Sequence, residues 1–263
     1  MENNFLMWGE RGVVTTFLLD LTSFQTISKF LDEIEFADGN RIKFEPQKMR
    51  CEPDFGRDGF GTPDAIIILE NINKEKIVII IEAKLSKYIV ASKNPSNRGK
   101  DKFNSKINGQ LELNYCLTRA MSEFTFKKTV LEEPSWILKT NYNIERKGYL
   151  RIIKDIDVIE NIVKPFALPD IDSYYHIILT DDNSNPLITN TNLPELYDEN
   201  NNNMWDTFKS NFGWINYLKL KQLAEHYFKD GKFLGTLKLN SRLSDYPLNS
   251  FVTSRIQDFS KKS

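Results

Sequence analysis

Two short aliphatic runs, Ala65-Ile66-Ile67-Ile68-Leu69 and Ile77-Val78-Ile79-Ile80-Ile81, are separated by the polar stretch Glu70 to Lys76. Both are dominated by β-branched residues and too short to span a membrane, so each reads as a buried strand. The polar stretch carries Asn71 and Asn73, which makes a hairpin the simplest connection. The charges then fall at one end of it: Asp64 opens the first strand, and Glu82 and Lys84 close the second. With the turn centred near Asn73, Asp64 lies opposite Glu82 or one residue out of register. Side chains alternate along a strand, so Glu82 and Lys84 share a face while Ala83 points to the other.

Like charges placed side by side on neighbouring strands repel. A divalent cation between Asp64 and Glu82 would remove that conflict. Hard cations such as Mg²⁺ take oxygen ligands, usually one or two carboxylates completed by waters and substrate phosphate. Lys84 would add a positive charge where a phosphate and an attacking water meet. The alternative is an ordinary hairpin whose strand ends carry charges to meet solvent, which leaves their gathering at one end without a reason.

Pro63-Asp64 followed on the next strand by Glu82-Ala83-Lys84 resembles the motif of the PD-(D/E)xK nuclease superfamily, also called restriction-endonuclease-like. The resemblance covers roughly the first half of the chain. It implies metal-dependent hydrolysis of a phosphodiester, most readily in DNA, with Asp64, Glu82 and the Ala83 carbonyl on Mg²⁺ (Mn²⁺ as substitute) and Lys84 on the attacking water. In some branches of that superfamily a Glu at the head of the first helix joins the metal. Glu10, in Gly9-Glu10-Arg11-Gly12, resembles that residue and equally suits simple capping of a helix N-terminus. Related nucleases carry a Gln-x-x-x-Tyr pattern on the helix after the Glu-x-Lys strand. Here Gln110 is present, Asn114 stands at the Tyr place and Tyr115 follows one position later. A phosphate contact and an unoccupied surface position both remain open for Gln110. Within this class a restriction or defence-type endonuclease comes first, with a junction resolvase or repair exonuclease as the alternative. A different class, a protein that binds nucleic acid or partners on a nuclease fold without cutting, also remains.

Composition narrows the partners. The 263 residues are 40% hydrophobic and 12% aromatic, enough for a sizeable core, and the net charge is -1, so any nucleic-acid surface must be local. Such a surface is at hand in Leu85 to Lys106, where Lys87, Lys93, Arg98, Lys100, Lys102 and Lys106 face one acid, Asp101. This loop leaves directly from Lys84; it either closes over a nucleic-acid backbone or is a solvated charge run. Two cysteines, Cys51 and Cys116, build neither a disulfide framework nor a zinc site and read as free thiols in a reducing cytoplasm. Met1-Glu2-Asn3-Asn4 lacks the basic start of a signal peptide, and no run approaches the roughly 18 apolar residues of a membrane helix. A cytoplasmic protein without membrane contact is expected. His176 and His226 are too few for a histidine metal site, and no phosphate-binding G-x-x-x-x-G-K-[ST] loop occurs, so any ATP-driven motor would be a separate protein. A second copy of the chain is a further candidate partner.

The pattern predicts an α/β fold: a mixed sheet centred on the hairpin and flanked by helices, with a partly helical C-terminal region. Apolar spacing predicts a helix over about 9–32 with a break near Thr22-Ser23, an edge strand within Arg41–Arg50, a loop over Glu52–Gly61 and a helix over Ile107–Met121. Tyr174–Thr180 reads as a further strand of the same sheet, with His176 a core or edge histidine rather than a catalyst. Phe208–Phe228 reads as aromatic helix. The expected division is a nuclease-like core over 1–190, with an insertion near 125–165, and a mostly helical region over 191–263.

Overall fold

The computed structural model describes residues 9–21, 24–53, 63–84, 107–112, 114–115, 118, 171–189, 193–194, 196 and 202–243, with the backbone alone at 9–10, 24–25, 52–53 and 238–243. The expected loop at 54–62, the basic segment with Lys87, Lys93, Arg98, Lys100 and Lys102, Cys116, and the insertion near 125–165 lie outside these residues.

The first described elements are α1 (Gly9–Asp20) and α2 (Phe24–Glu33), so the long apolar pattern is shared between two helices. Val13, Val14, Phe17, Leu18 and Leu21 form one buried stripe on α1 and its end, continued by Ile27, Phe30, Leu31 and Ile34 from α2. Thr16, buried in the same stripe, satisfies its hydroxyl by donating to the Gly12 carbonyl at 2.9 Å. After a two-residue strand β1 (Glu35–Phe36) come β2 (Pro46–Pro53), β3 (Ala65–Asn71) and β4 (Lys76–Ala83). The edge strand therefore starts later than its apolar pattern suggests and runs through Glu52-Pro53, which sequence assigns to the loop. Its prolines are tolerated because β2 pairs on one side with β3 and forms the end of the sheet.

β3 and β4 pair antiparallel from Glu70↔Lys76 to Ala65↔Ile81, as the two aliphatic runs require. The turn between them is fixed by Asn71, whose Oδ1 accepts from the N–H groups of Asn73 at 2.9 Å and Glu75 at 3.0 Å. Lys74 takes the left-handed conformation there, with φ of 68°.

Residues 107–112 and 114–115 are helical (α3), and Leu111 and Tyr115 are buried as their spacing predicts. β5 (Ser173–Thr180) then lies parallel to β4, with Ile80 level with His176 and Glu82 level with Ile178. Two short helices, α4 (Pro186–Thr189) and α5 (Trp205–Phe208), and one 3₁₀ turn (Lys209–Asn211) precede β6 (Phe212–Asn216). The chain ends its described course with α6 (Tyr217–Tyr227) and α7 (Lys232–Leu243).

β6 corrects the reading of Phe208–Phe228 as continuous helix. Phe212, Gly213, Trp214 and Ile215 are all buried, and the strand lies parallel to β5 and antiparallel to β1. The strand order is β1-β6-β5-β4-β3-β2, a mixed six-stranded sheet. Glycine is required at 213 because a Cβ there would meet Ile34 Cγ2 at 2.6 Å and Ile177 Cδ1 at 2.9 Å. The region beyond residue 190 thus contributes an interior strand to the same sheet, and its last described helix packs on α1. That contact is pinned by Asp20, whose carboxylate accepts from the Phe233 N–H at 2.7 Å, and by Phe17, whose ring meets Phe30, Phe228 and Phe233.

The helices lie in two layers. Ala65, Ile67, Leu69, Ile77, Ile79, Ile81, Ala83, Ile177, Leu179 and Ile215 face the layer of α1, α2, α6 and α7 in one core. The alternate residues Ile66, Val78 and Ile80 build a second cluster on the opposite face. There His176 stacks on Phe212 at 4.6 Å and meets Thr118, while Tyr115 of α3 meets the Phe208 ring. Among the described residues no helix is long and apolar enough to cross a membrane.

Gly213→Ala should destabilise the protein by about 1–3 kcal/mol, the usual penalty for overpacking a filled core. Urea denaturation followed by circular dichroism measures it; an unchanged midpoint would mean that β6 is not clamped between Ile34 and Ile177.

Candidate active site at the open end of the hairpin

The site begins where β3 enters the ladder. The regular register stops at Ala65↔Ile81, and Asp64 is held one step further on by two contacts. Its N–H donates to the Ile81 carbonyl at 2.9 Å, and its Oδ2 accepts from the Ala83 N–H at 2.8 Å. These two contacts bracket Glu82. The carboxylate of Asp64 thereby replaces a backbone acceptor at the end of the β3–β4 ladder, which fixes it to the strand that carries the other acid.

Glu82 belongs to the face of Ile80 and Val78, whereas Ala83 enters the main core on the other side. Lys84 continues β4 by donating its N–H to the Leu179 carbonyl at 2.8 Å. Its side chain turns back: Nζ donates to Glu82 Oε1 at 2.7 Å and to the Ala83 carbonyl at 2.8 Å. Asp64, Glu82 and Lys84 are 5%, 2% and 8% exposed, so three ionisable groups are withdrawn from water at one end of the hairpin. Charges buried to this degree are found paired, because an isolated one would be strongly disfavoured.

The sequence gives no sign of a fourth charge. Arg11, in the first turn of α1, brings Nε to 3.9 Å from Asp64 Oδ1 while its side chain stays 56% exposed. The same turn carries Glu10, whose side chain lies outside the described residues. Adjacent helix positions lie about 100° apart, so Glu10 gives no pointer to Arg11, and nothing in the sequence says that Arg11 turns toward Asp64. The repulsion expected between the two carboxylates is therefore met without a metal: Lys84 pairs with Glu82, and Arg11 stands beside Asp64.

Among the described residues no three His, Cys, Asp or Glu side chains form a group that could hold a metal ion by themselves. The donors tied to this strand end are the Asp64 and Glu82 carboxylates and the Ala83 carbonyl, hard oxygens of the kind that Mg²⁺ or Mn²⁺ accepts when waters and substrate oxygens complete the shell. The Lys84 ammonium between Glu82 Oε1 and the Ala83 carbonyl marks a place already occupied by a positive charge. On these observations the residues present fit a divalent cation held by Asp64, Glu82 and the Ala83 carbonyl.

α3 presents a polar stripe. Gln110, Asn114 and Thr118 recur at intervals of four and fall on one helix face. Asn114 is 1% exposed, and neither its Nδ2 nor the buried Gln110 Oε1 finds a hydrogen-bond partner among the described residues. Thr118 Oγ1 lies 3.4 Å from His176 Nε2. His176 is 2% exposed, and burial pushes its pKa down to about 3, so it stays neutral at physiological pH. It is a stacked core residue at the level of Ile80, away from the charged end of the hairpin.

Two outcomes are expected. Lys84→Met leaves Glu82 buried without its cation and should lower stability in EDTA by about 3–5 kcal/mol, whereas Lys84→Met/Glu82→Leu should recover much of that loss. A double-mutant cycle from urea denaturation reads the coupling, and simple additivity would mean that the pair does not interact. For His176 the unfolded chain takes up a proton near pH 6.5 that the folded chain refuses down to about pH 3. Its neutral form therefore stabilises the protein fully above pH 6.5, and that contribution falls by up to about 1.4 kcal/mol per pH unit as acid is added. His176→Gln should flatten this part of the stability profile between pH 7 and pH 4; an unchanged slope would assign the acid sensitivity to other groups.

The chain matches no protein-family model, and comparisons with curated proteins and with solved structures found no match.

Proposed function

We propose that the protein is a metal-dependent nuclease of the PD-(D/E)xK kind, hydrolysing phosphodiester bonds in nucleic acid, with DNA the first substrate to test. One observation carries this reading. Asp64, Glu82 and Lys84 are buried together at one end of the β3–β4 hairpin, with the Ala83 backbone tied to both Asp64 and Lys84. A strand end needs no such cluster for stability, since apolar residues of similar volume would fill the place at least as well as buried charges.

In this reading Asp64 and Glu82 hold Mg²⁺ or Mn²⁺ with the Ala83 carbonyl. Such an ion, when bound, supplies Lewis-acid charge on the phosphate and lowers the pKa of a water. Lys84 orients the attacking water as an ammonium, or takes its proton after first giving up one of its own, and the low exposure of the site strengthens each of these electrostatic contacts. Glu10 comes from the turn that places Arg11 beside Asp64 and is the candidate additional ligand. Lys87, Lys93, Arg98, Lys100 and Lys102 follow Lys84 in sequence and are the candidate backbone contacts, and Gln110 on α3 is a further candidate contact. A restriction or defence-type endonuclease in the cytoplasm is the first form of the proposal; a resolvase or exonuclease is the alternative.

A second reading has its own support. The two carboxylates have cationic neighbours without a metal, as a protein that binds nucleic acid without cutting would also have.

Incubating the protein with linear, circular and branched DNA in Mg²⁺ or Mn²⁺ separates these readings. Cleavage by the parent is expected, and Asp64→Ala, Glu82→Ala and Lys84→Ala should each reduce it by about 10²–10³-fold or more, with combinations little worse than singles. Cleavage unaffected by Asp64→Ala in a folded variant would move the chemistry elsewhere. Retention of DNA without cleavage by the parent would favour the second reading.

A further inference from the structure

The Lys84 ammonium lies within hydrogen-bonding distance of Glu82 Oε1 and of the Ala83 carbonyl, at 2.7 and 2.8 Å. These are two of the three groups that hold the cation in the function proposed above. Both distances are those of full charge-assisted bonds, and only 8% of the residue reaches solvent. Two of its three donors are spent inward, on the acid and carbonyl of its own strand, so the ammonium stands where a cation bound to the same two oxygens would sit.

We infer that Lys84 and the divalent cation are alternative occupants of one place, so that metal binding is the event that releases Lys84 for its part in the reaction. The inference rests on the nuclease reading and adds its regulation. Emptying the place first is disfavoured, since Glu82 is 2% exposed and would lose its ammonium partner. Exchange avoids that state: the entering cation takes over Oε1 and the carbonyl as the ammonium leaves. The four-carbon stem lets Nζ swing by rotation about its own bonds, without a shift of β4, whose next N–H stays bonded to Leu179. Arg11 does not share this constraint. At 56% exposure it stands at the rim beside Asp64 and can remain there while the exchange takes place. Without metal the site is thus electrically closed, and Lys84 is turned toward the acid rather than the substrate.

The test uses Ca²⁺ as a non-reactive cation on the full chain. The metal is titrated by thermal melting, and lysine acylation is read by mass spectrometry. Lys48 serves as internal reference because its side chain is 74% exposed on β2. Saturating Ca²⁺ should raise labelling of Lys84 relative to Lys48 by about tenfold, as a residue held in the closed state about nine-tenths of the time is set free. Lys84→Met should bind Ca²⁺ about tenfold more tightly than the parent, since the competing occupant is gone. A lysine standing merely nearby would also weaken a cation through charge, so the labelling of the parent protein decides, whether or not the variant folds. Ca²⁺ binding with Lys84 labelling unchanged or reduced would overturn the inference and leave the nuclease reading intact. No response to Ca²⁺ in either protein would remove the metal site, and both conclusions with it.

Discussion

A buried strand that ends in an acid must find that acid a partner, and the Glu82–Lys84 pair meets that need within a single strand. β4 is interior to the sheet, lined with aliphatic residues on both faces, and Ile77 to Ala83 are all buried. Such a strand is held by burial alone until Glu82 introduces a charge at its end. The ammonium two residues on folds back onto it, and the backbone of Ala83 between them binds both Lys84 and Asp64. Three charges are thereby locked to one short segment of main chain. Their mutual placement follows from strand geometry and does not depend on a distant loop.

Much of this was legible in the sequence, because the hairpin announces itself twice. Two aliphatic runs give the strands, and Asn71 gives the turn that sets their register, so the gathering of Asp64, Glu82 and Lys84 followed from counting. What the sequence withheld has physical reasons. β6 is only Phe212 to Asn216 and runs directly into α6, with Asn216 serving as both its last residue and the helix N-cap, so its apolar pattern merges with that of the helix. Its glycine reads as a weakness in a strand, and only the close approach of Ile34 and Ile177 explains it. The end of β2 was hidden in the same way, since Glu52 and Pro53 stand before a run of glycines and read as part of one loop with it. Arg11 escaped because its significance depends on how α1 lies against β3, a tertiary fact that no local pattern encodes.

The charge balance also changes what the motif can be taken to mean. From sequence, paired acids on neighbouring strands call for a metal. In the folded chain they already have cations beside them, one buried and one at the rim, so paired acids alone no longer demand a metal. The stronger support lies in the donor set and in the ammonium resting among it. The same face of the sheet carries a different kind of polar group further along. His176, Thr118 and Asn114 are buried there and neutral, and the Thr118 hydroxyl meets the His176 imidazole where α3 sits on the sheet. Neutral polar groups serve that purpose without the desolvation of a charge.

The position of β6 has a consequence for how the protein is made. It lies between β1 and β5, so the sheet is closed only when the chain has been synthesised past residue 216. A nascent chain grows from its N-terminus at roughly 5–20 residues per second, and its early parts are exposed while they wait. The hairpin with its ionic cluster can form first, but β1 and the outer edge of β5 then present unpaired backbone groups to any passing strand. Asp20, waiting at the end of α1 for the N–H of Phe233, adds a second delayed contact of very long sequence separation. Folding is therefore weighted toward late, non-local closure, the regime of slow folders with a long interval of open edges. Until β6 is in place, the open edges of β1 and β5 are where strand pairing is least protected.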